Sequence, residues 1–309
     1  MTRLLRALAL MALGVELLPA TAQEMALATI PSSLLDYADI APFLTAARPK
    51  RLRDACRTAE VVATPTRPNW DTSTTTTQCG VVEVDFGWQR QPMGPGVAQQ
   101  QLVPSLRYGL APRLDLRWCS ALWMHQAGDA TATLDGVGDQ YVSLRYRISE
   151  QTQTRVSLAL SYGYKFATAD ADKGFGSERG DHLLTLIASR DLGKLHLDSN
   201  LVGTFAGSKR GHESSVQAGA ALSRPLTKKL AVVLESYGGS QPGTADRLGT
   251  NLVGANYALT PRVVLDAAYA RAYTAGVPRS QLTFGVTVAH RAGLPVLPRS
   301  RGWARWLGQ

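Results

Sequence analysis

Charged residues recur at every second position in several stretches of this sequence. Glu83 and Asp85 alternate with apolar residues in "VVEVDFGW", and Arg145 and Arg147 do so in "VSLRYRI". Side chains two apart in an extended chain lie on the same face, so each stretch has one charged and one apolar face. A shared charged face can form ion pairs or attract small ions. Ten residues have this placement: Glu83, Asp85, Arg107, Asp115, Arg117, Arg145, Arg147, Asp198, Glu235 and Asp266.

These ten charges allow two interpretations. In the first they form ion pairs that fill the interior of the protein, and in the second they line a route for small solutes and set its selectivity. An unpaired charge removed from water is costly, so we expect pairing in both cases. Four arginines (Arg107, Arg117, Arg145 and Arg147) lie on three successive predicted strands. They favour anions unless nearby acids neutralise them.

Other residue types give weaker signals of chemistry. The five histidines are dispersed, and "HESSV" lacks the second histidine of a zinc motif. The stretch "DADKG" resembles the start of a calcium loop, but Gly174 stands where an oxygen ligand belongs. We therefore predict no metal and no other cofactor. We also predict that the protein is not an enzyme, although Ser161 or Ser199 with His196 leaves a membrane-embedded esterase or lipase as an alternative.

Alternation with a period of two predicts twelve β-strands. Most are 10 to 13 residues long, as a tilted membrane-spanning strand requires. In 181–190 the stretch "LLTLIA" is apolar on both faces, so its register is not assigned. The predicted strands are about 80–90, 100–109, 113–123, 138–149, 154–165, 181–190, 194–206, 212–224, 228–238, 246–258, 262–272 and 279–290.

The connections between these strands fall into two groups. Five are tight turns, such as "LAP" and "LTP", and the others are longer and rich in Gly, Asp, Pro and Ser. Short turns on one side and long loops on the other are typical of outer-membrane barrels. The prediction is therefore an all-β fold, a closed antiparallel transmembrane β-barrel of about 12 strands, with both termini on the periplasmic side.

The sequence outside the strands divides into three segments. Residues 1–22 have the pattern of a signal peptide, since Arg3 and Arg6 precede an apolar run and "ATA" offers a cleavage site before Gln23. An uncleaved amphipathic helix is the alternative. Residues 23–66 are predicted to form an N-terminal extension with a short helix and linker, ahead of a barrel over 67–290. Residues 291–309 form a basic C-terminal tail.

Three cysteines are compatible with one disulfide in an oxidising compartment. Cys56 and Cys79 both precede or begin the first strand, so we predict that they pair. Cys119 is then left over and faces the lumen.

The net charge of +9 is spread along strands and turns. A basic patch with interleaved aromatic residues, as single-stranded nucleic acids require, is absent from the sequence. We therefore predict no nucleic-acid partner, and expect contact with outer-membrane lipid and lipopolysaccharide.

Aromatic residues cluster near strand ends on the apolar faces. An interfacial girdle around a membrane barrel explains this placement, and a site for aromatic substrates is the alternative. These residues are Trp88, Tyr108, Trp118, Trp123, Tyr146, Tyr162, Tyr164, Tyr269 and Phe284.

Several motifs also occur together in a familiar order. They are "RPNWDTSTTTTQCGVVEVDFGW", "VPSLRYGLAPRLDLRW", "GVGDQYVSLRYRI", "SLALSYGYKF", "VVLESYGG" and "NYALTPRVVLDAAY". Over about 67–290 this order resembles the family of outer-membrane transporters assigned to the meta-pathway of phenol degradation. The resemblance implies a β-barrel in the bacterial outer membrane that passes small compounds, aromatic or hydrophobic ones among them.

Residues and resemblance together predict a passive route for a small-molecule permeant through the outer membrane. The barrel-assembly machinery is then an expected partner during biogenesis. The alternatives are a closed structural barrel without transport and the membrane-embedded esterase or lipase.

Overall fold

The computed structural model describes residue 56 and residues 60–292, apart from 129–130, 209–210, 244–246 and 276–277. The chain divides into two compact units, Met1–Thr58 and Ala59–Gln309, and the fold described below belongs to the second. The predicted signal peptide, most of the 23–66 extension and nearly all of the basic tail lie outside the described residues.

Fourteen strand segments lie in the described part of the chain, and neighbouring segments pair antiparallel. They are β1 (Val81–Gly94), β2 (Val97–Ala111), β3 (Leu114–Ser120), β4 (Trp123–Gly128), β5 (Thr131–Gly136), β6 (Gln140–Ser149), β7 (Ser157–Phe166), β8 (Asp181–Leu192), β9 (Leu195–Ser208), β10 (Gly211–Pro225), β11 (Leu230–Ser240), β12 (Arg247–Thr260), β13 (Val263–Ala272) and β14 (Ser280–Arg291).

The sheet closes on itself into a barrel. β1 pairs with β2 on one side and with β14 on the other, so Val82 lies opposite both Tyr108 and His290. The ring runs through β1, β2, β3 and β6 to β14, which makes twelve strands, as predicted. β4 and β5 form a hairpin that extends the ring, because β4 pairs with the part of β2 beyond β3 and β5 pairs with β4. Closure satisfies the backbone groups that an open edge would leave unpaired in hydrocarbon.

The two faces of the barrel differ as the alternation predicts. Phe86 and Leu234 lie on the outer face and are 49% and 59% exposed, whereas Glu83 and Asp85 on the inner face are 0% exposed. The structure also gives the register of the "LLTLIA" strand, in which Leu184 and Leu186 are exposed. A shift of one residue would turn the charged face toward lipid, at about 2–4 kcal/mol for each arginine near the midplane.

The two ends of the barrel carry different kinds of connection between strands. The turn end carries the connections 112–113, 150–156, 193–194, 226–229 and 261–262. The opposite end, here called the loop end, was expected to carry long loops throughout, but much of that sequence extends the strands. Only two residues join β1 to β2 or β9 to β10, and the predicted loop "MHQAGDATATLDGV" folds largely into β4 and β5 because its alternation continues there.

The longest connection in the described chain, 167–180, joins β7 to β8 at the loop end. It contains a short 3-10 turn, Ala171–Lys173, which Asp170 caps at the start and Gly174, at φ 71°, caps at the end. No helix in the described part of the chain is long and apolar enough to cross a membrane.

Candidate functional site

Residues 60–79, here called the luminal segment, form a loop against the inner face of the barrel. Residues 60–66, the end of the predicted N-terminal extension, belong to this loop and are not helical. The side chain of Gln78 joins the two ends of the loop: it accepts a hydrogen bond from the amide of Val62 at 3.1 Å and donates one to the carbonyl of Glu60 at 3.0 Å.

The luminal segment starts beside β1 and β2. The Oε1 atom of Glu83 accepts hydrogen bonds from the amide and the hydroxyl of Thr64, at 3.1 and 2.7 Å. Arg107 lies 2.6 Å from Glu83 and 3.2 Å from Asp85, and donates to the carbonyl of Thr64 at 2.8 Å. This buried cation therefore joins two predicted inward acids to the luminal segment.

The next residues contact β12, β13 and β14. Arg67 pairs with Asp266, N to O 3.4 Å, and donates hydrogen bonds to the hydroxyl of Thr283 and to the carbonyl of Phe284. Asp266 was predicted as an inward charge, and its cation comes from the luminal segment, not from a neighbouring strand.

The middle of the luminal segment is held by β11. The carboxylate of Glu235 accepts the backbone amides of Trp70 and Asp71, at 2.9 and 2.5 Å. The indole of Trp70 stacks on the ring of Tyr237 with centroids 5.1 Å apart and planes 5° apart. Glu235 thus positions an aromatic pair inside the barrel.

Asp71 lies in the luminal segment and not in a membrane-spanning strand. Burial, followed by the charges of Glu235 and Asp198, raises the pKa of its carboxyl from 3.8 to about 9. The Asp71 side chain therefore carries a proton at neutral pH, which limits repulsion among the three acids.

The last part of the luminal segment returns along β8, β7 and β3. Thr74 donates two hydrogen bonds, from its hydroxyl to Ser157 Oγ at 2.8 Å and from its amide to Ser189 Oγ at 2.9 Å. The amide of Thr77 donates to Asp115 at 2.8 Å, and Asp115 also pairs with Arg145 at 2.6 Å.

Glycines on the inner face let the luminal segment pack closely. A Cβ at Gly109 would lie 2.7 Å from the carbonyl oxygen of Thr77, and one at Gly219 would lie 2.6 Å from Oδ2 of Asp71, closer than side chains tolerate. In the described strands, five inner-face glycines meet the segment in this way: Gly87, Gly109, Gly219, Gly254 and Gly285.

The remaining predicted charges make local contacts. Arg147 pairs with Glu150 near the turn end at 3.4 Å. Asp198 accepts a hydrogen bond from Ser189 at 2.5 Å and lies 3.1 Å from Nε2 of His196. Arg117 makes no ion pair with the described residues, and its Nε is buried without a hydrogen-bond partner.

Two cavities lie beside the luminal segment. Their volumes are about 240 and about 250 Å³, and both are lined by Trp70, Tyr237 and Gln281. Arg117 lines only the first cavity, and Gln91 only the second. Because they share walls, the cavities are adjacent and have a common aromatic side, and the first has a mainly polar lining while the second has a more apolar one.

The geometry does not assemble the hydrolase considered from the sequence. The ring nitrogens of His196 lie 2.6 Å from Asp191 and 3.1 Å from Asp198, and the hydroxyl of Ser199 donates to the carbonyl of Gly219. His196 therefore faces two carboxylates and neither Ser199 nor Ser161. Among the described residues, no group of three or more His, Cys, Asp or Glu is placed to hold a metal ion.

The cysteines differ in state. Among the described residues, Cys119 forms no disulfide, and the pairing of Cys56 with Cys79 stays as the sequence predicts it. The bond in the purified protein stays a prediction, tested below.

Sequence reasoning missed the luminal segment. The signals that could have found it are the inward position of several glycines and the polar run "TSTTTTQ", whose small hydroxyl side chains suit an extended chain packed against a charged wall. Neither signal has a period, so a search for strand alternation passes over both.

Comparisons with known proteins bear on the fold. No family model and no curated protein matches the chain. The structure is similar to the COG4313 outer membrane channel from Pseudomonas putida F1, with a TM-score of 0.53 and 18% identity over 75% of this chain and 98% of that one. The fold is that of an outer-membrane β-barrel.

Two more distant likenesses are the KdgM porin and the CymD monoaromatic hydrocarbon channel. Their TM-scores are 0.45 and 0.39, with 11% and 10% identity over 67% and 68% of this chain and 98% and 88% of theirs. The resemblance to the phenol-degradation family stays a prediction. A closed barrel with an apolar outer face places the protein in the bacterial outer membrane.

Proposed function

We propose that this protein is a passive channel for small molecules, with the luminal segment as its constriction. The observation that carries the proposal is the pair of adjacent cavities inside the barrel, at about 240 and 250 Å³. Their walls offer a solute three kinds of contact: amide groups, a guanidinium and an aromatic stack. Twelve strands suit this role, because eight are filled by their own side chains and sixteen leave an open channel.

The proposed permeants are small compounds, including aromatic ones. Trp70 and Tyr237 offer aromatic surface to both cavities, and the amides of Gln89, Gln91 and Gln281 offer hydrogen bonds. Lipid and lipopolysaccharide around the barrel, and the barrel-assembly machinery during biogenesis, belong to the same proposal.

A closed structural barrel is the second candidate. The observation that favours it is the course of the luminal segment, which is fixed to strands from β1 to β14 by hydrogen bonds and ion pairs. Such a segment closes the lumen unless solutes pass through the cavities beside it.

Ion conductance in a planar bilayer, together with swelling of proteoliposomes in test solutes, separates the two candidates. We expect conductance from the wild type and a higher conductance from Trp70→Ala, because this change removes an indole from both cavities. Trp88→Ala is the matched control, since Trp88 stacks on Phe284 on the outer face.

The absence of both conductance and swelling would establish the closed barrel instead. Ester hydrolysis by the wild type that His196→Ala abolishes would establish the esterase. Equal conductance of Trp70→Ala and Trp88→Ala would remove the luminal segment from the permeation route.

A further inference from the structure

Arg117 differs from the other inward arginines in having no acidic partner. Arg107, Arg145 and Arg147 lie 2.6, 2.6 and 3.4 Å from a carboxylate oxygen. Arg117 makes no ion pair with the described residues, and its buried Nε makes no hydrogen bond. A guanidinium has five N–H donors in a planar fork that suits a carboxylate, so this one offers unused donors.

The neighbours of Arg117 in the sheet add to its excess positive charge. Arg107 lies directly opposite in β2, and Ser143 lies opposite in β6. Like charges directly opposite each other in a sheet are destabilising. Arg107 has two acids within ion-pair distance, at 2.6 and 3.2 Å, whereas Arg117 has no such contact among the described residues. A small anion from solution would supply one.

The cavity beside Arg117 limits the kind of anion. It measures about 240 Å³, and an engineered cavity of about 150 Å³ holds a benzene molecule. One substituted six-membered ring therefore fits. The same cavity is lined by Trp70 and Tyr237, and by the apolar side chains of Leu252 and Ala270, which suit the faces and edges of an aromatic ring.

Within the lining, the stack of Trp70 on Tyr237 is the feature that favours an aromatic ring. No Asp or Glu of the described residues lines either cavity, although carboxylates are good acceptors for sugar hydroxyls. The cavity thus combines a guanidinium that makes no ion pair, an aromatic side and otherwise largely polar walls.

We propose that this cavity binds a monocyclic aromatic carboxylate, with the carboxylate on Arg117 and the ring against Trp70 and Tyr237. The proposal rests on the channel function above and names the substrate class of the same site. A bound carboxylate neutralises Arg117 and accepts its free N–H groups, and the ring fills the space beside the stacked pair.

The test is calorimetric titration of the purified barrel in detergent with benzoate, benzamide and glucuronate. Benzamide has the ring without the charge, and glucuronate has the charge without the aromatic ring. We expect benzoate to bind, and Arg117→Gln to weaken it about tenfold or more, the effect of losing a charge-assisted hydrogen bond. Arg113→Gln is the matched control, because Arg113 pairs with Glu150 at the turn end, away from the cavity.

Several outcomes would overturn the proposal. Undetectable benzoate binding, equal binding by wild type and Arg117→Gln, or equal weakening by Arg113→Gln each remove Arg117 as the anion site. Glucuronate or benzamide binding as tightly as benzoate removes the aromatic carboxylate as the ligand class. Band shifts on unheated gels verify that each variant is a folded barrel.

Conductance of potassium chloride, measured on the same preparation, separates this proposal from the channel function. Conductance without benzoate binding overturns the ligand assignment alone. Absence of conductance together with absence of solute uptake overturns the channel function itself.

Discussion

Replacement of Arg107 tests how the interior charges stabilise the barrel. Its guanidinium lies 2.6 Å from Glu83 and 3.2 Å from Asp85, and the side chain is 1% exposed. Arg107→Met keeps an unbranched side chain and removes the charge, which leaves two buried carboxylates without their cation. Breaking a buried ion pair by removing one partner costs about 3–5 kcal/mol. We expect a loss of this size in the free energy of unfolding.

Urea unfolding in detergent micelles measures this loss, and Arg113→Met is the control. Arg113 lies 3.6 Å from Glu150, and the two side chains are 39% and 57% exposed. Exposed pairs contribute about 0–1 kcal/mol because water screens them. The two substitutions remove the same charge from the same protein, so the difference between them isolates the effect of burial.

The interpretation also predicts a partial rescue. Asp85→Asn in the Arg107→Met background removes one of the stranded charges, so it should restore part of the lost stability. If Arg107→Met costs no more than Arg113→Met, the cluster of Arg107, Glu83 and Asp85 is solvated and does not hold the luminal segment. Failure of Asp85→Asn to restore stability would contradict the electrostatic origin of the loss.

The remaining predictions concern the luminal segment. Gly219→Ala places a Cβ 2.6 Å from Oδ2 of Asp71, so it should destabilise the protein by about 1–3 kcal/mol and expose the luminal segment to protease. Gly203→Ala is the control, because its Cβ would lie 3.9 Å from the carbonyl oxygen of Leu184, and it should have neither effect. The pKa of Asp71 is raised from 3.8 to about 9, so the contribution of its protonated carboxyl to stability is complete below pH 3.8 and is lost as the pH rises through 9. Protection of the luminal segment from protease should therefore fall between pH 7 and 10 in the wild type but stay constant in Asp71→Asn. Mass mapping of non-reduced peptides should find Cys56 joined to Cys79, and two free thiols there would refute the pairing.

The barrel itself could be predicted because its sequence repeats a simple rule. Alternation placed Glu83, Asp85 and Arg107 on the inner face and Phe86 on the outer face, since a closed sheet between lipid and a polar interior requires this separation along every strand. Strand number followed from counting the repeats. The ends of the strands could not be predicted in this way, because the largely polar residues that extend β1 and β2 do not alternate between an apolar and a charged face.

The partners of the charges could not be predicted in the same way. Asp266 pairs with Arg67 and Glu235 accepts the amide of Trp70, and in both pairs the residues are more than 150 positions apart. A contact of this kind depends on where an irregular segment folds back, and no local period encodes that. The lack of an ion pair at Arg117, among the described residues, was equally hidden, because Arg117 shares its alternation with Arg107 and Arg145.

The course of the luminal segment also governs how the barrel assembles. The segment precedes β1 in the chain, yet its partners include Glu83 in β1, Asp115 in β3, Glu235 in β11 and Thr283 in β14. A sheet that lacks its final strands can satisfy only some of these groups, and it leaves buried polar atoms unpaired. Docking of the segment and closure of the ring therefore stabilise each other, and partly assembled sheets gain little until the last hairpin is in place. The protein should consequently fold in one cooperative step. The luminal segment should become ordered only when β14, the last strand, pairs with β1.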